Sequence, residues 1–147
     1  MRRRDKLRFL SWQQRRVLLY AFLILNTVRL ALWLLPFGTI RQQSKTVMSV
    51  WICSEEAKPV SVDFVAWAVS VAGYYAFGGA KCLARALTTQ LLLNRYGHVH
   101  RLHIGVAKGE LQTLEAHAWI EYGGRVIVGK LTDLGRFTSL STVGAEK

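Results

Sequence analysis

A chain of 147 residues is near the commonest size of a single domain and is long enough to bury a real core. Its hydrophobic content of 51% excludes a disordered chain and implies a large apolar face to be covered. Lys and Arg number 20 against 9 Asp and Glu, a net charge of +11, yet no zinc-finger spacing, aromatic RNA-stacking motif or recognition helix accompanies that charge, so no nucleic-acid partner is expected.

Much of the positive excess lies in the first sixteen residues, at Arg2, Arg3, Arg4, Lys6, Arg8, Arg15 and Arg16. It reads as a solvated basic tail, with an acidic peptide or an anionic membrane surface as the functional alternatives. Ser11 is placed to cap a first long helix over about 12–35, and Pro36 with Gly38 marks its end. The apolar run 17–37 is long enough to span a bilayer and follows positive charge, but Asn26 and Arg29 interrupt it. No clean small-residue cleavage site follows, which disfavours a signal peptide. The preferred reading is a cytoplasmic protein whose first helix is amphipathic and buried against the domain or a partner, with Arg15, Arg16, Asn26 and Arg29 toward water. Membrane association through Val17 to Phe37 is the alternative.

Residues 37–57 are mixed. A short helix over 40–51 is expected, Cys53 reads as a small core residue or peripheral thiol, and Ser54 to Pro59 reads as a loop. Ser61 or Asp63 then caps a second helix, VDFVAWAVSVAGYYAF, with Phe64, Ala68, Val71 and Tyr75 at helical spacing, stopping at Gly78-Gly79. A third helix starts at about Lys81 and ends at Arg95-Tyr96-Gly97. Beyond it the period shortens to two: Leu102 to Val106, Leu114 to Tyr122 and Arg125 to Val128 alternate as strands. Gly123-Gly124 between the last two supplies the positive φ angles of a type I′ hairpin turn. The fold class is therefore α+β, amino-terminal helices followed by an antiparallel meander. Residues 1–60 form a helical region packing on a core of 61–147, expected as one compact unit.

Cys82 opens the third helix after a glycine pair, where unpaired N–H groups and the helix dipole favour a thiolate. Alone, such a cysteine is as easily an inert buried residue. His98 and His100 fall in the loop after that helix, and His103 alternates with Leu102 and Ile104 on a strand. His117 stands between two alanines that leave its ring room. By alternation Glu115, His117, Trp119 and Glu121 share one face of their strand, and Ala116, Ala118 and Ile120 the other. A cysteine at a helix start and a histidine on a later strand are the parts of a nucleophile and its base. A disulfide between Cys53 and Cys82 is disfavoured because nothing suggests an exported, disulfide-stapled fold, and a zinc site because the two cysteines have no paired ligand spacing. No metal and no cofactor is expected.

Four ordered motifs carry a family resemblance: Cys82-Leu83-Ala84-Arg85-Ala86-Leu87, Leu102-His103-Ile104-Gly105-Val106, Ala116-His117-Ala118-Trp119-Ile120-Glu121, and Arg136-Phe137-Thr138-Ser139-Leu140. Residues 30–41, with Leu34-Leu35-Pro36-Phe37 inside them, extend it weakly. The chain resembles the transglutaminase-like leader peptidase that forms the carboxyl-terminal half of the lasso-peptide, or microcin-processing, biosynthesis protein B. The resemblance implies a papain-like core in which Cys82 attacks a peptide carbonyl and His117 shuttles the proton. It implies a ribosomally made precursor peptide as substrate, a separate small leader-binding protein and a lasso cyclase as partners. The family often places an aspartate about a dozen residues after the histidine, where this chain has Gly129. A two-residue turn puts His117 opposite Lys130, with no carboxylate from Arg125 to Lys130. Asp133 is then the candidate third member, with Glu115 or a backbone carbonyl as alternatives. Arg85, one turn from Cys82, is a candidate for supporting the thiolate or a substrate carboxylate, and Trp119 and Glu121 for lining the cleft. The rival functions are acyl transfer to an amine on the same fold and a non-catalytic, membrane-associated scaffold.

Overall fold

Three helices precede four strands, in a computed structural model that describes residues 8–35, 59–76 and 81–144. The expected short helix over 40–51, Cys53, the loop 54–58 and the Gly78-Gly79 stop lie outside the described residues. Helix α1 runs Trp12–Leu34. Its start is a capping box: the Ser11 hydroxyl accepts from the Gln14 amide (3.3 Å) while the Gln14 side chain accepts from the Ser11 amide (2.9 Å). It ends where Leu35, the residue before a proline, turns extended.

Helix α2 spans Val62–Tyr75, and of its two candidate caps Ser61 is the one used, accepting from the Phe64 amide at 3.2 Å. Asp63 sits in the first turn and pairs with Arg125 (2.8 Å) at the start of the third strand. Helix α3 is Cys82–Arg95. It closes in a Schellman turn: Gly97 adopts φ +73, the His98 amide reaches back to the Leu93 carbonyl (2.9 Å) and the Gly97 amide to Asn94 (3.1 Å).

The strands are β1 (Arg101–Lys108), β2 (Leu114–Tyr122), β3 (Arg125–Val128) and β4 (Thr138–Gly144), in the spatial order β3-β2-β1-β4. The first three form the expected meander, and the glycine pair gives its turn, with φ +56 and +80 at Gly123 and Gly124. Two features differ from expectation. A fourth strand crosses back to pair with β1; its sequence, TSLSTVG, has too few apolar residues to announce a strand by alternation. Between β2 and β3 the pairing slips: Tyr122 faces Arg125 and Glu121 faces Val126, but Ile120 faces Val128. Ile127 is the extra residue of this bulge, so the simple register that set His117 opposite Lys130 does not hold.

The core lies between the helices and one face of the sheet. Val17, Ala21 and Leu25 of α1, spaced four apart, meet Val65, Ala68, Val69 and Ala72 of α2 and Ala84, Leu92 and Leu93 of α3. Leu102, Ala118 and Ile120 close it from the sheet side. The alanines let the helix backbones approach closely, and Thr88 and Thr89, fully buried in α3, satisfy their hydroxyls on the carbonyls one turn back (2.7 and 2.8 Å). As expected, α1 packs one row of side chains in the core and turns Arg15 and Arg16 to water. Asn26 and Arg29 are half-buried, and Trp12, Leu19, Leu23, Leu30 and Trp33 are exposed as well, so the face turned outward is more apolar than an amphipathic helix presents. α1 is long and apolar enough to cross a membrane, while one row of its side chains is packed in the core.

Candidate active site

Cys82 is the first residue of α3, a half-buried free thiol. Lys81 precedes it as the cap residue without a side-chain cap bond, and the first intrahelical bond runs from the Arg85 amide to the Lys81 carbonyl (3.2 Å). The amides of Cys82, Leu83 and Ala84 therefore have no partner within the helix, and their positive ends point out of the end of α3 at which Cys82 stands.

His117 stands on β2 opposite Gly105 of β1. Its ring is held between two aromatics, Phe137 at 5.6 Å and Trp119 at 6.2 Å. Trp119 stacks in turn on its cross-strand partner His103 (5.2 Å). The indole can lie across the sheet because Gly105 has no side chain there; a Cβ would stand 3.0 Å from the ring.

Cys82 and His117 line one cavity of about 330 Å³. Ala66, Val69 and Ser70 of α2 form one wall, residues 127–131 another, and Arg85 of α3 completes it. The sequence thus brings together three of its candidate residues: Cys82, His117 and Arg85.

The partner that orients His117 is a backbone group. Nε2 lies 2.7 Å from the Gly129 carbonyl oxygen. A carbonyl can only accept, so Nε2 carries the proton and donates it, leaving Nδ1 as the free lone pair. Gly129 itself has φ +80, and a Cβ on it would sit 2.5 Å from the Ala118 carbonyl oxygen and 3.0 Å from the Trp119 Cα. No aspartate side chain can occupy this position with this backbone. The bulge at Ile127 and the left-handed turn at Gly129 instead bring the chain's own carbonyl to the imidazole.

The expected orienting role of Asp133 finds no contact with His117. Its carboxylate takes Nε of Arg136 (2.6 Å), and Glu115, the other acidic candidate, takes Nη2 of the same guanidinium (2.5 Å). Trp119 and Glu121, expected along the cleft, do not line the cavity: Trp119 is a buried support behind the imidazole, and Glu121 faces His103 at 3.4 Å. Lys130, Leu131 and Ser70 line the site without having been singled out, since nothing in their local sequence marks them. Arg136 and Phe137 stood in the closing motif without a role. The fold gives them one: Arg136 ties the loop to β2 through Glu115, lies over the Phe137 ring (5.0 Å), and so holds that ring against His117.

Compared with known protein families, residues 23–142 match the transglutaminase-like superfamily. The chain belongs to that superfamily. Neither the curated proteins nor the solved structures contain a match to it. The transglutaminase-like superfamily includes cysteine peptidases and acyltransferases and is generally catalytic through cysteine and histidine. Helices followed by an antiparallel sheet, with the cysteine at a helix start and the histidine on a strand, are its papain-like core.

Proposed function

We propose that this transglutaminase-like protein is a cysteine peptidase that removes the leader from a ribosomally made lasso-peptide precursor, working with a separate leader-binding protein and a lasso cyclase. The observation that carries the catalytic part is the shared cavity of Cys82 and His117, with the imidazole tautomer set by the Gly129 carbonyl. The precursor and partners rest on the resemblance of the four motifs.

In this reading the Cys82 thiol passes its proton to Nδ1 of His117 and the thiolate attacks the scissile carbonyl. The tetrahedral oxyanion is held by the free amides at the start of α3. Nδ1–H then protonates the departing amine, leaving an acyl thioester on Cys82. Water, deprotonated by Nδ1, hydrolyses that ester and releases the leader with a free carboxylate. The Gly129 carbonyl fixes the ring and its tautomer throughout but lends no negative charge to the imidazolium, as a carboxylate would.

The test is incubation of a precursor with the full chain and its leader-binding partner, read by mass spectrometry. A leader fragment with a free carboxyl terminus is expected from the wild type and none from Cys82→Ala. An added amine appearing on the leader instead would make the reaction acyl transfer. Release at the normal rate by Cys82→Ala would rule out the thiol mechanism.

A further inference from the structure

Arg85 follows Cys82 by three residues, so the two side chains leave the same face of α3, and both line the cavity. The charge around that cavity is one-sided: among the described residues its lining includes two cations, Arg85 and Lys130, and no carboxylate. Nε of Arg85 is fully buried and, among the described residues, makes no hydrogen bond. Among the described residues the acidic side chains that pair do so elsewhere, Asp63 with Arg125, Glu115 and Asp133 with Arg136, and Glu121 with His103. A buried guanidinium donor without an acceptor is costly, and a chain keeps one where something else supplies the acceptor.

The fold also makes room for this arginine. The guanidinium lies on the backbone of α2 at Gly73, where a Cβ would stand 2.7 Å from Nε and 3.1 Å from Cζ and Nη2. Packing against a helix backbone limits the rotamers of a long side chain, so its planar fork is presented in a set orientation. That fork is the geometry that binds a carboxylate through two parallel N–H bonds.

We propose that Arg85 is the specificity-determining residue of this site and binds a carboxylate of the peptide substrate close to the bond attacked by Cys82. The carboxylate is either an acidic side chain beside the scissile bond or the terminal carboxylate of the peptide. The proposal rests on the peptidase reading for the word substrate, but its test does not need turnover.

The probes are iodoacetate and iodoacetamide, which alkylate the same thiol and differ by a carboxylate for an amide. Rates are measured at Cys82 by peptide mass spectrometry, on the full chain. Relative to iodoacetamide, iodoacetate is expected to label wild type about tenfold faster than it labels Arg85→Gln, the size of one charge-assisted hydrogen-bond pair. Gly73→Ala, which keeps the charge but crowds Nε, is expected to lower the same ratio, and Lys130→Gln to leave it in place. Equal ratios in wild type, Arg85→Gln and Gly73→Ala would overturn the proposal. So would loss of the preference in Lys130→Gln to the extent seen in Arg85→Gln. If Arg85→Gln instead shifts the pH profile of iodoacetamide labelling and leaves the ratio unchanged, the arginine serves the thiolate and the proposal is wrong.

Two pairs of chloroacetyl peptides separate the sources of the carboxylate: chloroacetyl-Gly-Glu-amide against its Gln counterpart, and chloroacetyl-Gly-Gly as free acid against its amide. An Arg85-dependent preference in the first pair assigns a side chain, and in the second the chain terminus. No preference in either pair would overturn the assignment to a peptide. A retained iodoacetate preference in a protein that cleaves no precursor would fail the peptidase reading and leave the carboxylate site standing.

Discussion

Around Cys82 and His117 stand two kinds of backbone group: the amides that start α3 and the carbonyl of Gly129. His117→Ala and Cys82→Ala are each expected to lower precursor cleavage by roughly a thousandfold or more, and the double variant by no further large factor, because they act as a unit. Asp133→Asn is expected to keep the rate constant for cleavage within about threefold of wild type, since its partner is Arg136 and the imidazole proton goes to a carbonyl. Gly129→Ala places a methyl against the Ala118 carbonyl in a left-handed turn. A loss of about 1–3 kcal/mol in urea unfolding, with a fall in activity beyond the loss of folded protein, is the expected outcome. His100 gives a separate pH signature. It is buried; Nδ1 donates to the His98 carbonyl (2.9 Å), and Nε2 has no hydrogen-bond partner among the described residues. Burial pushes its pKa below the ordinary histidine value. The unfolded chain therefore takes up the proton first: stability is full above the ordinary histidine range and falls as pH drops through it toward the folded pKa. Urea midpoints measured from about pH 7.5 to 5.5 should decline more steeply in wild type than in His100→Asn, whose amide can still donate to that carbonyl.

Each helix shows how a local signal and a tertiary one combine. Ser11 and Ser61 cap their helices by their own hydroxyls, so Ser11→Ala or Ser61→Ala is expected to cost about 1 kcal/mol, read in thermal unfolding. By contrast α3 lacks a side-chain cap at Lys81, which leaves its first amides for the site in place of the stability a serine would add. Leu25, fully buried in α1 against α2 and α3, is the side chain whose loss tests whether α1 is integral to the core. Leu25→Ala is expected to destabilise the whole domain by about 2–5 kcal/mol in a single transition. A second, earlier transition confined to α1 would mean that this helix is a dispensable arm. The Arg125–Asp63 pair between α2 and β3 is exposed on both sides and contributes little beyond registering the two elements.

Viewed whole, the molecule leaves its first helix half-covered. Trp12 and Trp33 are 72% and 82% exposed near its two ends, with the exposed Leu19, Leu23 and Leu30 between them. Without a partner or detergent the isolated chain is expected to self-associate, and a mild detergent to restore a monomer in sedimentation. A monodisperse monomer in plain buffer would show that this exposure is tolerated in water. The net charge of +11 favours acidic surfaces and peptides as neighbours of the protein, and such associations should weaken as salt is raised.

The three described helices, their two serine caps, the Gly123-Gly124 turn and the two-faced pattern of β2 were legible in the residues, because each is governed by contacts within a few positions: hydroxyl to amide, positive φ at glycine, alternation along a strand. Cys82 and His117 were legible as types of residue in plausible places, and the superfamily match bears out the fold in which they stand. The tertiary structure decided the rest. A bulge at Ile127 cannot be read from spacing, because one extra residue in a ladder is selected by packing on both faces; yet it delivers the Gly129 carbonyl to the imidazole and leaves Asp133 to Arg136. β4 forms because β1 offers an open edge, which its own polar sequence does not announce. The setting of Arg85 also needs two helices at once: its place beside Cys82 follows from helical spacing, while its burial against Gly73 depends on how closely α2 and α3 pack.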